Sequence, residues 1–218
     1  MHPEFWHERW RTGQIGFHQS GPHPFLERWW PSLGVPAESR VYVPLCGKSL
    51  DMVWLAVRGH RIVGSELSEI AVREFFGEHA SEPAARATGP FRVHAAGPFE
   101  IFEGDALALT PELLGPVAAA YDRAALVALP APLRRTYADL FATLLPASAR
   151  SLLVTFEYDQ SRKAGPPFAV AEAEVHQLYG TAFVVERLDC VDIIEASPKF
   201  AEAGVGSLHE VAYALRRR

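Results

Sequence analysis

The sequence predicts a doubly wound α/β fold, in which a mostly parallel sheet carries helices on both faces. Short apolar segments rich in β-branched residues predict buried strands at 40–44, 61–66, 118–123 and 151–158, and a further strand is predicted at 99–103. Segments with the apolar spacing of helices lie between several of these strands. Strands that alternate with helices form parallel sheets through right-handed crossovers, so this order predicts the fold class.

Three helices are predicted between or after these strands. In the first, apolar residues recur at positions i, i+3, i+4 and i+7, and Gly59 follows as a C-terminal cap. These positions are Leu50, Val53, Trp54 and Val57. A second amphipathic helix begins after Ser68, a preferred N-cap residue, and a third covers 132–145. The Ala- and Gly-rich segment 82–97 is interpreted as a connector.

The final third of the chain predicts two more strands, at 183–192 and 209–216, separated by a loop with no clear helix. Such a pair closes as an antiparallel hairpin at the sheet edge, which gives a seven-stranded mixed sheet. The Trp-rich residues 1–37 and the loop 165–168 fall outside the alternation. We predict a single domain in which both segments cover a site at the carboxyl ends of the strands, over a core spanning 38–218.

Composition and charge restrict the class of partner. The 218 residues are 49% apolar and 22% charged, as in soluble globular proteins, and the net charge is −5. This charge argues against a nucleic acid or an anionic membrane as partner, and no apolar run approaches the roughly 20 residues of a membrane span. Cys46 and Cys190 predict neither a disulfide framework nor a zinc cluster, so we expect no metal site. We expect a cytoplasmic monomer, since the sequence shows no signal-peptide run near its start and no exposed apolar stripe.

The loop after the first predicted strand, PLCGKS at 44–49, contains only one glycine, Gly47. Dinucleotide sites use the pattern G-x-G-x-x-G, and phosphate loops need an upstream glycine that is missing here. One glycine suffices when the ligand brings no pyrophosphate, as with a nucleoside that bears an amino acid. A plain tight turn between strand and helix is the alternative interpretation.

Two acidic residues follow neighbouring strands. Glu66 ends the second strand, 19 positions after Gly47, and a carboxylate at this offset accepts hydrogen bonds from both ribose hydroxyls of a nucleoside. The alternative is that Glu66 caps or flanks the helix that begins after Ser68. Asp105 follows Gly104 at the end of another strand, where an acid or a backbone N–H can contact an adenine edge. Gly-Asp is also a common turn.

Asp122 and Arg123 end a central apolar strand. In this fold class, that position faces the ligand crevice, so we predict that the pair faces a ligand. A structural ion pair at the rim of the sheet is the alternative.

Six motifs, taken together and in this order, resemble the bacterial form of the thiopurine S-methyltransferase family over nearly the whole chain. They are Phe5-Trp6 with Arg9-Trp10, Gly16-Phe17-His18, the loop 44–49 with Asp51-Met52 and Trp54-Leu55, Val63-Gly64 with Glu66-Leu67-Ser68-Glu69, Asp122-Arg123-Ala124-Ala125-Leu126, and Gly165-Pro166-Pro167-Phe168. The resemblance implies a Rossmann-like class I methyltransferase that uses S-adenosylmethionine and releases S-adenosylhomocysteine. It also implies a helical N-terminal lid and a thiopurine, or another aromatic or heterocyclic thiol, as the acceptor.

The resemblance also implies roles for single residues. Trp10 resembles the family's aromatic contact near the methionine part of the cofactor, and Leu45 resembles its main-chain contact beside Gly47. Glu66 resembles the ribose-binding acid. Arg123 resembles the arginine close to both cofactor and acceptor, where it serves catalysis. Asp105 stands where many class I methyltransferases hold the adenine, although this position varies within the family.

These roles agree with the chemistry of the residues. The sulfonium of the cofactor is cationic, so the face of Trp10 suits it, although large aromatics at helical spacing also serve simply as core. An aromatic thiolate is already a good nucleophile, so no dedicated base is required, and Arg123 would favour the anionic acceptor. His18 is a candidate proton carrier through water, with a surface or packing role as the alternative. Cys46 is interpreted as a packing residue.

Three other functions stay open from the sequence. A relative that keeps the cofactor can act on selenium or tellurium compounds, because a soft anionic chalcogen suits the same pocket. A non-catalytic module that binds S-adenosylmethionine is the second, and the presence of both Glu66 and Arg123 argues against it. The single glycine of the loop 44–49 argues against the third, a nicotinamide oxidoreductase.

Overall fold

A computed structural model of the protein describes residues 3–79 and 82–218. Nine strands of these residues form one sheet. The strands are β1 (Arg40–Val43), β2 (Arg61–Glu66), β3 (Ala84–Thr88), β4 (Phe91–Ala96), β5 (Phe99–Glu103), β6 (Ala119–Arg123), β7 (Arg150–Glu157), β8 (Phe183–Asp192) and β9 (His209–Arg217). Their order across the sheet is β3-β4-β5-β2-β1-β6-β7-β9-β8.

Eight α-helices accompany the sheet in the described part of the chain. They are α1 (Pro3–Arg11), α2 (Pro24–Trp29), α3 (Leu50–Val57), α4 (Glu69–His79), α5 (Pro111–Leu114), α6 (Ala131–Leu144), α7 (Glu172–Tyr179) and α8 (Pro198–Ala201). The Ser49 side chain accepts the backbone N–H of Asp51 and caps α3, which fits the polar residue that the chain places before the first apolar turn.

The core of the sheet confirms the predicted fold class. Strands β5, β2, β1, β6 and β7 are mutually parallel, and β9 and β8 form the antiparallel pair at one edge. The seven predicted strands all exist, with ends within one residue of those observed. Parallel strands joined through helices bring the carboxyl ends of all five to one edge of the sheet.

The predicted strand number is wrong, because the segment 82–97 is not a simple connector. It forms β3 and β4, an antiparallel hairpin that pairs with β5 and extends the sheet to nine strands. β4 buries Phe91 and Val93, whereas most of β3 is exposed at the sheet edge. An exposed edge strand of small residues lacks the apolar alternation by which strands are predicted. The helix α7 and the short helix α8 were likewise not predicted from the sequence.

Helices cover both faces of the sheet, as predicted. On one face, α2, α3 and α4 pack against β1 and β6 through residues that include Val41 and Tyr121. On the other face, α6 and α7 pack against the same two strands through residues that include Tyr42 and Ala120. Successive strand residues point to opposite faces, so each central strand contributes to both layers of the core.

Loops from four strands meet at the carboxyl edge of the sheet. Gly104 follows β5, and its backbone N–H donates to the carbonyl of Glu66, the last residue of β2, at 2.9 Å. This hydrogen bond joins the ends of the two strands. After β7, the N–H of Phe168 donates to the Val127 carbonyl at 2.7 Å, which joins the loop 165–168 to the turn after β6. Among the described residues, no helix has both the length and the apolar character needed to cross a membrane.

The contrast between two positions on α3 tests the burial that holds this layer. Leu55 is 0% exposed and Val57 is 78% exposed. We expect Leu55→Ala to lower the free energy of unfolding by about 2–5 kcal/mol, because it leaves a cavity in the core. Val57→Ala on the same helix should change it by less than about 0.5 kcal/mol. Urea unfolding followed by circular dichroism measures both, and equal losses would contradict the assigned packing of α3.

Candidate active site

Glu66 lies at the centre of the carboxyl edge. It ends β2 and is buried, and its two carboxylate oxygens accept backbone N–H groups from Gly47 and Ser68, each at 2.8 Å. Burial raises the pKa of Glu66, and N–H donation from Ser68 and Gly47 offsets part of that rise. Each oxygen keeps a second lone pair for a ligand. The geometry therefore unites both interpretations of Glu66, as an anchor beside the α4 helix and as a potential acceptor for hydroxyl groups.

The loop after β1 has a backbone shape that few residues adopt. Leu45 and Gly47 have φ values of +46° and +52°. The N–H of Cys46 donates to the Ser65 carbonyl at 2.9 Å, which ties this loop to the end of β2. The Cys46 thiol is buried where a Cβ on Gly64 would lie 2.7 Å from its sulfur, and burial raises its pKa well above the usual range. Cys46 is therefore a protonated packing residue here.

Trp10 covers the loop from the N-terminal segment. Its side chain on α1 is 6% exposed, and a Cβ added to Gly47 would lie 3.2 Å from the indole carbon Cζ2. The Phe17 ring packs edge-on against Trp10, with 5.7 Å between ring centroids. A glycine at position 47 thus allows an indole to rest directly on the loop.

Asp122 and Arg123 lie in different environments. Asp122 is 0% exposed and accepts the hydroxyl of Tyr137 at 2.6 Å, so the prediction that it faces the ligand crevice is wrong. Successive residues of a strand point to opposite sides, which separates the two side chains. Arg123 is partly buried, and its guanidinium forms neither an ion pair with Asp122 nor a hydrogen bond to another described residue. Its charge is available to a ligand.

Asp105 lies at the end of β5 and is exposed. Its side chain accepts the N–H of Leu107 at 2.9 Å and caps a short 3₁₀ turn at Ala106–Ala108. This is the turn interpretation of the Gly-Asp pair. A contact with an adenine edge stays a prediction.

A charged cluster beside the loop was not predicted from the sequence. The Lys48 ammonium pairs with Glu74 at 3.0 Å and Glu78 at 2.7 Å, both on α4. The i, i+4 spacing of the two glutamates is visible in the sequence, but their lysine partner comes from a separate element. Burial, followed by the charge of Lys48, lowers the pKa of His18, and the charge of Arg123 acts in the same direction. His18 is therefore an unprotonated imidazole near neutral pH.

A shallow cavity at the opposite edge of the sheet does not belong to this site. It is lined by Trp30, Arg58 and His60, near the amino ends of β1 and β2. The Trp30 indole donates to His60 at 3.0 Å, which accounts for both groups as packing residues. Trp54 likewise donates to Glu27 at 3.1 Å, so these two tryptophans serve the core rather than the carboxyl edge.

Among the solved structures with the same fold are two methyltransferases. One is the 1,6-didemethyltoxoflavin-N1-methyltransferase of Burkholderia thailandensis with bound 1,6-didemethyltoxoflavin and S-adenosylhomocysteine. It has a TM-score of 0.66 and 16% identity, over 99% of this chain and 86% of that chain. Another is an S-adenosylmethionine-dependent methyltransferase of Anabaena variabilis, with a TM-score of 0.63 and 13% identity over 99% and 95% of the two chains. The chain therefore has the fold of the class I methyltransferases that use S-adenosylmethionine.

The particular family follows from the sequence comparisons. The family described as Thiopurine S-methyltransferase (TPMT) matches residues 1–218. A thiopurine S-methyltransferase of Pseudomonas fluorescens (strain Pf0-1) is 49% identical over 216 residues, which is 99% of each chain. One from Xanthomonas campestris pv. campestris (strain 8004) is 48% identical over 217 residues and covers all of both chains. The chain belongs to the thiopurine S-methyltransferase family.

Removal of the Glu66 carboxylate tests its place in the site. We expect Glu66→Ala to weaken S-adenosylmethionine binding by about 2–3 kcal/mol, because charge-assisted hydrogen bonds to the ligand are lost. Glu69→Ala, at an exposed position three residues along the chain, is the matched control and should keep the affinity of the unmodified protein. Calorimetric titration measures both, and an unchanged affinity for Glu66→Ala would remove this carboxylate from the cofactor site.

A second substitution tests the contact between Trp10 and the loop. Gly47→Ala places a methyl group against the indole, and overpacking of this kind costs about 1–3 kcal/mol. We expect the free energy of cofactor binding to become less favourable by a similar amount. Gly13→Ala is the control, since Gly13 also has a positive φ of +68° but no neighbouring atom within 4 Å of an added Cβ. It shares the backbone strain without the contact. Equal affinities of the two variants would contradict the role of the Trp10 contact.

Proposed function

We propose that this protein transfers the methyl group of S-adenosylmethionine to the sulfur of thiopurines or other aromatic and heterocyclic thiols. The observation that carries the proposal is that Glu66 and the Gly47 loop, at the end of β2, share the carboxyl edge with Arg123 at the end of β6. The Arg123 guanidinium has no hydrogen-bond or ion-pair partner among the described residues. Glu66 with the loop matches a nucleoside, and the guanidinium matches an anionic acceptor. Family membership supports the same reaction.

The residues of the loop and lid fit the cofactor. Glu66 has lone pairs for the two ribose hydroxyls, and the loop at Leu45–Gly47 can present its main chain to the methionine part. The Trp10 ring offers its face to a sulfonium, an interaction worth about 0.5–2 kcal/mol. Asp105 is assigned to the adenine side. Bound S-adenosylmethionine supplies an electrophilic methyl group.

Arg123 acts on the acceptor. A thiol that ionises near neutral pH needs an adjacent positive charge more than a strong base, and a partly buried guanidinium stabilises the thiolate in a site of reduced dielectric constant. The charge of Arg123 disfavours protonation of His18, so the neutral imidazole can take the proton of the thiol through water. The described part of the lid, residues 3–37, and the loop 165–168 hold the reactants in line and exclude water.

We also propose that the protein works as a cytoplasmic monomer on a small-molecule acceptor and not on nucleic acid. The net charge of −5 supports a small acceptor, since the polyanion of a nucleic acid would be repelled. Among the described residues, the large apolar side chains that are exposed are Val57, Val184 and Val191, which do not make up an extensive apolar face. Single-particle mass measurement in solution tests the monomer.

The acceptor class is tested directly by a transfer assay. Cofactor labelled in its methyl group is incubated with the protein and, in turn, with thiopurines, simple aromatic thiols, selenite and tellurite. We expect label in the thiopurines and aromatic thiols. Cofactor binding without transfer to any of these acceptors would contradict the proposed reaction, and transfer to selenite or tellurite alone would replace the sulfur acceptor with a metalloid one.

Substitution of Arg123 tests its electrostatic role. We expect Arg123→Ala to lower kcat for a thiol acceptor on the order of 100-fold at saturating cofactor, because one charge that stabilises the developing reaction is lost. Arg123→Lys should retain more activity than the alanine variant. Arg61→Ala, an exposed arginine at the amino end of β2, is the matched control and should leave kcat unchanged. Wild-type turnover by Arg123→Ala would show that the charge is not used.

A further inference from the structure

The turn after β6, residues 123–128, carries Arg123. The carboxylate of Asp122, the preceding residue, accepts hydrogen bonds from this turn. We propose that Asp122 is a positioning residue for methyl transfer, because its carboxylate fixes the turn that places Arg123 at the site and anchors the loop 165–168. The inference rests on the role proposed above for Arg123. It concerns a side chain that does not itself reach the reacting atoms.

The contacts of Asp122 join the middle of the turn to α6. One carboxylate oxygen accepts the N–H groups of Ala125 and Leu126, each at 3.2 Å. They belong to the N-cap residue and to the first residue of the 3₁₀ helix at Leu126–Ala128, whose N-cap side chain makes no capping hydrogen bond. The other oxygen accepts the Tyr137 hydroxyl of α6 at 2.6 Å. The carboxylate thereby connects β6, the turn and α6.

The turn needs this support because its backbone is strained. Ala124, between Arg123 and the two bonded N–H groups, has a φ of +79°, in the left-handed region that side chains disfavour. Such conformations persist when surrounding contacts determine them. Two hydrogen bonds from Asp122 to the following residues supply that constraint. Without them, the preferred relaxation of Ala124 reorients the peptide that joins it to Arg123.

The same turn also holds the second cover of the site. The Val127 carbonyl accepts the N–H of Phe168 at 2.7 Å, so the loop 165–168 rests on the 3₁₀ helix that Asp122 caps. A shift of the turn therefore displaces Arg123 and this loop together. Both belong to the acceptor side of the proposed site, so loss of the Asp122 contacts should affect turnover more than cofactor binding.

The charge of Asp122 gives this role a measurable signature. Its titratable neighbours are the phenols of Tyr42 from β1, Tyr137 from α6 and Tyr179 from α7, and on the β7 side it pairs in register with Leu153. Burial raises the pKa of Asp122 to about 6, and the bonds from Tyr137, Leu126 and Ala125 oppose a larger rise. Protonation below that pH removes acceptor capacity from the carboxyl and weakens its hold on the turn.

The test is the pH dependence of kcat between pH 5 and pH 8, at saturating cofactor and a fixed aromatic thiol. We expect kcat to fall with an acid limb near pH 6. Tyr137→Phe removes a bond that favours the carboxylate, so its limb should move to higher pH. Tyr179→Phe is the matched control, because it removes a buried hydroxyl that has no hydrogen-bond partner among the described residues, and its limb should stay in place. The acceptor's own titration is common to all three proteins.

Asp122→Asn gives a second measurement. We expect its kcat to fall at least 10-fold across the pH range and to lose the dependence near pH 6, while its cofactor dissociation constant stays within twofold of wild type. Wild-type kcat in Asp122→Asn would overturn the inference. If this variant fails to fold, the comparison of Tyr137→Phe with Tyr179→Phe decides alone, and an acid limb that does not move in Tyr137→Phe would overturn it.

The change of Tm with pH distinguishes acid unfolding from a displaced Arg123. The pKa of Asp122 is about 6 in the folded protein, above the value of 3.8 for an ordinary aspartate, so the folded state binds the proton more readily. This group therefore stabilises the fold as pH falls through 6, and the Tm of wild type relative to Asp122→Asn should rise. A relative Tm that falls together with kcat would assign the acid limb to unfolding and overturn the inference.

Failure of the proposed function gives a different pattern. If wild type binds cofactor but transfers label to no acceptor, the reaction itself is wrong, and the positioning role is overturned with it. If wild type transfers label and Arg123→Ala loses turnover while Asp122→Asn does not, the reaction stands and only the role of Asp122 is overturned. Loss of turnover in both variants, with the Tyr137→Phe shift, is the expected result.

Discussion

The burial of one carboxylate, Glu66, constrains the whole carboxyl edge of the sheet. A charged group withdrawn from water must find donors, and here they are the backbone N–H groups of Gly47 and Ser68. These donors belong to the loop after β1 and to the start of α4, so satisfying the carboxylate brings the two segments to fixed positions. The remaining lone pairs of Glu66 are fixed in place for the proposed ligand. The same two carboxylate oxygens therefore hold the loop and α4 and serve the proposed recognition of the cofactor.

The site also depends on the simple alternation of side chains along β6. Tyr121 enters the layer of α2 to α4, where its hydroxyl donates to Asp51, and Asp122 enters the opposite layer beside Tyr137. Arg123 follows where the strand ends, and no such layer covers it fully. One strand therefore anchors both faces of the core and ends in an arginine that has no hydrogen-bond or ion-pair partner among the described residues.

The sequence predicts the parallel core and the positions of its ends well, because buried strands and single polar residues after them are local patterns. Glu66 and Gly47 lie together as those patterns indicate, and Trp10, identified through the family resemblance, lies against Gly47. The hairpin within 82–97 is missed because an edge strand of exposed small residues has no burial signature, and Asp122 is misplaced because its burial depends on α6, far along the chain. Ion pairs such as that of Lys48 with glutamates of α4 join residues far apart in sequence, so the local sequence around either partner does not predict them.

The indole of Trp10 has a consequence for the order of events during turnover. It contacts both the Gly47 loop and Phe17, so one side chain connects the proposed cofactor site to the proposed lid. If α1 acts as the proposed lid, its withdrawal would open the proposed site in a single motion. Spent cofactor and methylated product would then share one exit, and the rate of that opening would set an upper limit on how quickly the next cycle can begin.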